Sequence, residues 1–124
     1  MKRIKKYIDS NGDTWDSKSE YLFYCYLLEN KDKFNIKEIH RQVVYEIQEG
    51  FMYMNNKVQR ITYKSDFTLM LNNGQTVVID VKPPVKNIWD SKFPIKWKMM
   101  KYKYRDYIYK IVAFKNKNIG WIEM

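Results

Sequence analysis

The alternation of apolar and polar residues predicts two helices in this chain. Ser17-Lys18-Ser19-Glu20 is a capping box, and the apolar run Tyr21–Leu28 that follows predicts a helix ending near Asn30. Because this run is apolar on nearly every face, we expect the helix to be buried on more than one side. A second helix is predicted over Ser91–Arg105, with Pro94 tolerated in its first turn.

Strand-like segments lie between the two helices and after the second one. The first is Arg41–Ile47, and the second lies within Gln59–Leu71. The third, Thr76–Lys82, is continuously apolar and β-branched, which suits a central strand covered on both faces. A last main strand is predicted over Ile108–Phe114, with Gly120–Ile122 as a short extra one. The order α-β-β-β-α-β predicts a single α/β domain over all 124 residues.

The hairpin between the second and third strands decides whether two aspartates face one another. A two-residue turn at Asn73-Gly74 would pair Asp66 with Val81 and turn it to the face opposite Asp80. A three-residue loop, Asn72-Asn73-Gly74, would instead pair residue 71 with 75 and therefore Asp66 with Asp80. We predict the three-residue loop, because both asparagines tolerate such turns and the glycine stands at its left-handed position.

Asp80 and Lys82 would lie side by side, since residues two apart in a strand share a face. Two neighbouring carboxylates repel each other, so that either one pKa rises or a cation is recruited. A hard cation such as Mg²⁺ takes oxygen ligands, typically one or two protein carboxylates with water and phosphate oxygens. Lys82 could hold an attacking water or neutralise developing charge. Taken alone, however, Asp-X-Lys favours a buried ion pair with a structural role.

The sequence argues against several kinds of disulfide and metal site, and against a membrane-spanning or secreted protein. Cys25 and His40 are the only residues of their types, which excludes a disulfide framework and the zinc and histidine-metal sites that need several such ligands. The longest apolar run, Tyr21–Leu28, is far shorter than the ~20 residues that span a bilayer. Met1–Lys6 lacks the apolar stretch of a signal peptide. We therefore expect a cytoplasmic protein with no membrane partner.

The net charge of +9 is concentrated in one segment. Residues 82–117 hold eleven Lys and Arg against two acids, whereas the rest of the chain holds twelve of each sign. A one-sided basic segment indicates a polyanionic partner, with ordinary solvated lysines as the alternative. The second helix carries the residues that we expect to contact nucleic-acid phosphates: Lys92, Lys96, Lys98, Lys101, Lys103 and Arg105.

Three motifs follow one another on the first helix and on the strands. They are Trp15-Asp16-Ser17-Lys18-Ser19-Glu20, Tyr63-Lys64-Ser65-Asp66-Phe67 and Val78-Ile79-Asp80-Val81-Lys82. In this order they resemble the PD-(D/E)XK, or restriction-endonuclease-like, nucleases, and among these the phage-type junction-resolving endonucleases. The resemblance covers residues 14–114 and implies an αβββαβ core with a mixed central sheet flanked by helices. The sequence departs from the family pattern at Ser65, where proline is usual, and at Pro83-Pro84, where relatives often have glycine.

The resemblance also implies a role for each residue of these motifs. Asp66 and Asp80 would be metal ligands together with the backbone carbonyl of Val81. Glu20 would bind or orient a second ion or its water, and Lys82 would be the catalytic lysine.

Two of the implied roles have alternatives in the sequence itself. Glu20 is also the third helical residue of the capping box, which explains an acid at that position without any catalysis. Gln42 lies on the predicted first strand, where some relatives carry a glutamine near the site, and a structural role explains it equally well.

The implied activity is Mg²⁺-dependent hydrolysis of DNA phosphodiester bonds, with Mn²⁺ able to substitute and no nucleotide cofactor. The expected substrate is branched DNA such as a Holliday junction. Two symmetric cuts need two active centres, so a homodimer is expected, with Trp15, Phe51 and Tyr53 available for a shared surface. The alternative is a DNA-binding module or a transposase-like nuclease subunit that needs a partner chain.

Overall fold

The computed structural model describes residues 6–124, so most of the N-terminal segment on which the signal-peptide expectation rests lies outside the described residues. The described residues form eleven strands, two α-helices and one 3₁₀ turn (Lys86–Ile88). The helices are α1 (Lys18–Glu29) and α2 (Phe93–Lys103). The strands are β1 (Tyr7–Ile8), β2 (Thr14–Trp15), β3 (Ile36–Arg41), β4 (Val44–Gln48), β5 (Phe51–Tyr53), β6 (Asn56–Val58), β7 (Ile61–Lys64), β8 (Phe67–Leu71), β9 (Thr76–Val81), β10 (Ile108–Asn116) and β11 (Gly120–Glu123).

Five of these strands form a mixed central sheet in the order β11-β10-β9-β8-β3. Strands β9 and β10 run parallel, and the other neighbouring pairs are antiparallel. A parallel pair needs a crossover connection, and α2 supplies it. The elements α1, β3, β8, β9, α2 and β10 therefore follow the predicted order αβββαβ, and the predicted α/β class with a mixed sheet is confirmed.

One helix covers each face of the sheet. On one face, Phe23 of α1 packs in a buried cluster with Phe67 and Ile79. On the other face, Trp97 of α2 packs in a second cluster with Val78. Because Val78 and Ile79 are neighbours on β9 and point to opposite faces, this strand is covered on both sides, as its apolar sequence predicts.

The hairpin between β8 and β9 has the predicted three-residue loop. The N–H of Leu71 donates to the carbonyl of Gln75 (2.9 Å), and Gly74 has a φ of 89°. The same register places Phe67 opposite Ile79. One residue earlier, Asp66 and Asp80 come opposite each other and therefore share a face of the sheet.

The predicted first strand, Arg41–Ile47, is divided in the structure: Arg41 ends β3, and Val44–Ile47 belong to β4. The strand that pairs with β8 in the central sheet is β3, and the chain leaves the sheet at Gln42, whose φ is 54°. A left-handed backbone is unfavourable for a residue with a Cβ atom, and the hydrophobic pattern gives no sign of it. The apolar residues after Gln42 form β4, which pairs with β7 outside the central sheet. The predicted segment Gln59–Leu71 accordingly holds two strands, β7 and β8.

Strands β4 to β7 form an excursion that we call the ribbon (residues 44–64). Near the sheet β4 pairs with β7, and further out β5 pairs with β6. Met54 and Asn55 close the outer hairpin with φ angles of 47° and 66°, the two positive values of a type I′ turn. At Gly50, between β4 and β5, a Cβ atom would lie 3.1 Å from the carbonyl oxygen of Val58.

Helix α1 is buried on one side only. Its N-cap is Ser17, as predicted, and Leu27 is buried against the sheet. By contrast, Leu22 and Leu28 are 42% and 48% exposed. The expectation of burial on more than one side is wrong, because among the described residues the sheet covers a single face of this helix.

Helix α2 is shorter than predicted. It begins at Phe93 after Lys92, which makes no side-chain capping bond, and Pro94 lies in its first turn. It ends at Lys103, two residues before the predicted Arg105. Neither α1 nor α2 is long and apolar enough to cross a membrane.

Candidate active site

The predicted acidic residues and the predicted lysine meet in one cleft. It has a volume of about 290 Å³ and lies between the first turn of α1, the end of β7 with Asp66 just after it, the end of β9, and the start of α2. Its lining contains all five residues to which the motifs assign chemistry: Glu20, Asp66, Asp80, Val81 and Lys82. Six further residues complete the lining: Tyr63, Lys64, Asp90, Lys92, Phe93 and Lys96.

Asp66 lies where the ribbon rejoins the central sheet. Its Oδ2 accepts a hydrogen bond of 2.7 Å from the N–H of Val81 on the neighbouring strand. Burial, and after it the adjacent Glu20, raise the pKa of the Asp66 carboxyl to about 8, against the opposing effects of the Val81 bond and of the Lys82 charge. In the absence of a cation, the raised pKa favours the protonated form of Asp66.

Asp80 and Lys82 form an ion pair on one face of β9. The Nζ atom of Lys82 lies 3.0 Å from Oδ1 of Asp80, and both side chains are largely buried. The hydroxyl of Tyr63 donates to the other carboxylate oxygen of Asp80. Burial, followed by the charge of Asp66, raises the pKa of Asp80 to about 6, against the opposing effects of Lys82 and Tyr63. The ring of Phe93 lies 4.0 Å from the Lys82 ammonium and forms the other side of its site.

Glu20 points into the cleft from the first turn of α1. Its N–H bonds to the Ser17 hydroxyl (3.1 Å), which is one half of the predicted capping box. Its carboxyl group does not complete the box: it lies against Asp66, and its Oε2 atom is buried without a hydrogen-bond partner among the described residues. Burial raises the pKa of Glu20. The position of this carboxyl therefore suits a ligand role better than a capping role.

The donor atoms of the cleft fit a hard divalent cation. Glu20, Asp66 and Asp80 offer only carboxyl oxygens, and the backbone of Val81 borders the same space. Within residues 6–124, no group of three or more Asp, Glu, His or Cys side chains is arranged so that it could hold a metal ion by itself. Mg²⁺ does not need such a set, since it usually keeps several waters beside one or two carboxylates. A cation would satisfy the unpartnered Glu20 oxygen and relieve the repulsion among the acids.

Only part of the predicted basic surface borders this cleft. Lys92 and Lys96 lie in its lining at the start of α2, and Lys64 of β7 joins them. Sequence reasoning missed Lys64, although it stands two residues before Asp66. Three lysine side chains, one from β7 and two from the start of α2, therefore lie at the opening of an acidic cleft.

The other predicted basic residues lie outside the cleft, and the expectation that they contact nucleic-acid phosphates stays a prediction. Lys98 and Lys101 are exposed and do not line it. Lys103 donates to the carbonyl oxygen of Glu46 (2.8 Å), and Arg105 donates to that of Tyr102 (3.1 Å). The last two therefore bind backbone carbonyls near the end of α2.

Two further predictions need correction. The side chain of Gln42 does not line the cleft, and its contribution is a backbone one, because its N–H donates to the carbonyl of Asp66 (3.2 Å). Trp15 is 3% exposed and belongs to the core, so it is not available for a shared surface. Sequence reasoning also missed Tyr63. A tyrosine three residues before an acid is only a weak sign of a functional residue. Its role becomes visible in the structure, where its buried hydroxyl lies beside Asp80.

Comparison with known families gives one match. A family model described as "Protein of unknown function (DUF1064)" matches residues 1–118, a range that contains the whole cleft. No curated protein matches the chain.

Proposed function

The chain belongs to the DUF1064 family, and we propose that it is a metal-dependent DNA endonuclease of the PD-(D/E)XK type. The observation that carries this proposal is the convergence of Glu20, Asp66, Asp80 and Lys82 in one cleft with lysines at its mouth. The order αβββαβ of the core elements supports it as well. Three clustered acids whose pKa values burial raises are costly to the folded protein, and a module that only binds DNA has no need of them.

Asp66 and Asp80, with the carbonyl of Val81, are the groups that would hold the ion, and Glu20 would hold a second ion or a water. Bound Mg²⁺, or Mn²⁺ in its place, would supply neutralising charge to phosphate oxygens and a water of lowered pKa. For this role the carboxyls must lose protons, which the raised pKa of Asp66 makes dependent on the presence of the cation.

Lys82 is held in place for electrostatic stabilisation. An ammonium group has three N–H donors, and the bond to Asp80 uses one of them. The ring of Phe93 and the carboxylate of Asp80 fix the group from two sides. Its remaining donors can bind a non-bridging phosphate oxygen or orient the attacking water as negative charge develops.

The rim of the cleft supports a polyanionic substrate. Lys64, Lys92 and Lys96 can neutralise phosphates on either side of the scissile one, whereas the acids inside would repel an anion that brings no cation. We propose branched DNA, such as a four-way junction, as the substrate to test first, because the three motifs resemble those of junction-resolving enzymes.

The test is cleavage of a supercoiled plasmid and of a four-way junction with Mg²⁺, with Mn²⁺ or with EDTA. We expect metal-dependent cutting that Asp80→Asn and Lys82→Ala each abolish while DNA retention remains. Matched controls are Asp106→Asn and Lys98→Ala, which change the same charges at exposed positions outside the cleft. Both controls should cut like the wild-type protein.

Three results would contradict the proposal or redirect it. Cutting that persists in EDTA, or wild-type rates in either cleft variant, would exclude this site. Loss of folding in both cleft variants would support a purely structural Asp80–Lys82 ion pair. DNA retention without any cutting, at saturating Mg²⁺, would favour the alternative of a DNA-binding subunit that needs a partner chain.

A further inference from the structure

Strand β5 presents an open and uncharged edge. Phe51, Met52 and Tyr53 are 44%, 65% and 63% exposed, and Met54 at the turn is 78% exposed. Residues 51–56 carry no charge, although the chain has a net charge of +9. An exposed, apolar strand edge is a template for pairing with another strand, and an isolated two-stranded hairpin is only marginally stable in water.

The backbone groups of Met52 point toward this open edge. Tyr53 and Asn56 flank the two-residue turn and form a hydrogen-bonded pair, and such pairs alternate with non-hydrogen-bonded ones. Met52 and Lys57 are the next pair, so the N–H and C=O groups of both point away from the hairpin. On β6 the outward position carries a lysine, which discourages edge pairing, whereas on β5 it carries a methionine.

We propose that β5 pairs antiparallel with β5 of a second copy of this chain, about a two-fold axis at Met52. In this register Met52 exchanges backbone hydrogen bonds with its symmetry mate. Phe51 of each copy then lies opposite Tyr53 of the other, and aromatic cross-strand pairs are among the favourable ones. Like charges do not meet, since Glu49 falls opposite Asn55.

The chemistry and size of this edge fit a second copy. A surface that binds nucleic acid carries cationic side chains, and residues 51–56 contain none. Four large side chains of ~200 Å² each, at the exposures given above, can bury roughly 500 Å² per copy. The total of roughly 1,000 Å² reaches the lower limit for a specific interface, so we expect a concentration-dependent dimer.

The inference is independent of the proposed function, because the assembly can be measured without DNA or metal. Its first test is sedimentation over a range of micromolar concentrations. We expect a monomer–dimer equilibrium that Met52→Lys weakens by about tenfold or more, since two like charges would meet at the axis. The matched control is Asn56→Lys, which adds the same charge to β6 and should leave the equilibrium unchanged.

Cross-linking tests the register itself. In a Cys25→Ser background, Met52→Cys should give a disulfide-linked dimer, because Cα atoms of a hydrogen-bonded antiparallel pair lie about 5.5 Å apart, within the range of a disulfide. Lys57→Cys, on the opposite edge, should remain monomeric on a non-reducing gel. The proposal would be overturned if the wild-type protein is monomeric at every concentration, or if Met52→Lys leaves the monomer–dimer equilibrium unchanged. If the protein is monomeric and Tyr53→Ala lowers its affinity for DNA, the edge of β5 binds nucleic acid instead.

Discussion

Replacing Asp66 with asparagine should stabilise the metal-free protein and abolish its response to Mg²⁺. Asparagine has the same shape, so its amide oxygen can still accept the Val81 N–H bond that Asp66 accepts at 2.7 Å. Its NH₂ group can donate to Glu20, whose Oε2 has no hydrogen-bond partner among the described residues. The substitution therefore keeps the contacts and removes only the acid that repels its neighbours.

The size of the effect follows from the pKa of this carboxyl. It rises from the ordinary value of 3.8 to about 8 in the folded protein. At about 1.4 kcal/mol per unit of pKa, the ionised group opposes folding by on the order of 5 kcal/mol at and above pH 8. Glu20 acts on the pKa of Asp66, so the titrations of the two carboxyls are linked and asparagine recovers only part of this energy. We expect a gain of ~1–3 kcal/mol in the free energy of unfolding at pH 8.

The decisive comparison is the stability difference between Asp66→Asn and the wild-type protein at two pH values. Because the folded-state pKa is raised, the carboxyl favours folding most strongly below about pH 4, and this contribution is lost as the pH rises toward 8. The advantage of Asp66→Asn should therefore be larger at about pH 8 than at about pH 5 in urea unfolding followed by tryptophan fluorescence. Asp106→Asn, at an exposed acid, should show no such difference. An equal or larger advantage at the lower pH would refute the picture of a buried, proton-holding Asp66.

Three other outcomes can be checked on the same protein. Tyr63→Phe removes the hydroxyl that donates to Asp80; we expect a loss of ~1 kcal/mol in stability and a lower single-turnover cleavage rate at unchanged DNA affinity, and an unchanged rate would limit Tyr63 to folding. Changing Lys92 and Lys96 to glutamine should weaken binding to every DNA and lower the slope of log affinity against log salt by about 0.9 per lost contact. The same changes at Lys98 and Lys101, outside the cleft, should have less effect, and equal effects would show that position on α2 does not matter. Calorimetry should show a larger rise of Tm with Mg²⁺ at about pH 8 than at about pH 5, because the ligands must be deprotonated, and a pH-independent rise would argue against carboxyl ligands.

The placement of the acidic residues could be predicted because it depends on short, local signals. Gly74 in a three-residue loop fixes the register of one hairpin, and that register alone puts Asp66 opposite Asp80. The spacing of two residues then places Lys82 beside Asp80. The continuous apolar run of β9 likewise predicts a strand that is covered on both faces, independently of the neighbouring sequence.

The remaining features depend on conformations and contacts that carry no such signal. Gln42 and Met54 adopt left-handed backbones without being glycine, so neither the exit from the sheet nor the outer hairpin was foreseen. Lys96 and Lys98 point to different sides of any helix, but which of them borders the cleft depends on how α2 is rotated against the sheet. The hydroxyl of Tyr63 finds Asp80 only once β7 and β9 have been brought together by the whole fold.

The outer hairpin of the ribbon is attached to the rest of the molecule at one place. Gln48 and Ile61 are the last pair of β4 and β7 before this hairpin, so the chain leaves and returns through adjacent residues. A short turn joining these two residues would delete β5 and β6 and leave Tyr63, Lys64 and the rest of the cleft in the retained chain. Insertions and deletions here would thus alter how copies associate without altering the acids. Under the pairing proposed for β5 and the activity proposed for the cleft, self-association and chemistry would therefore be free to evolve separately.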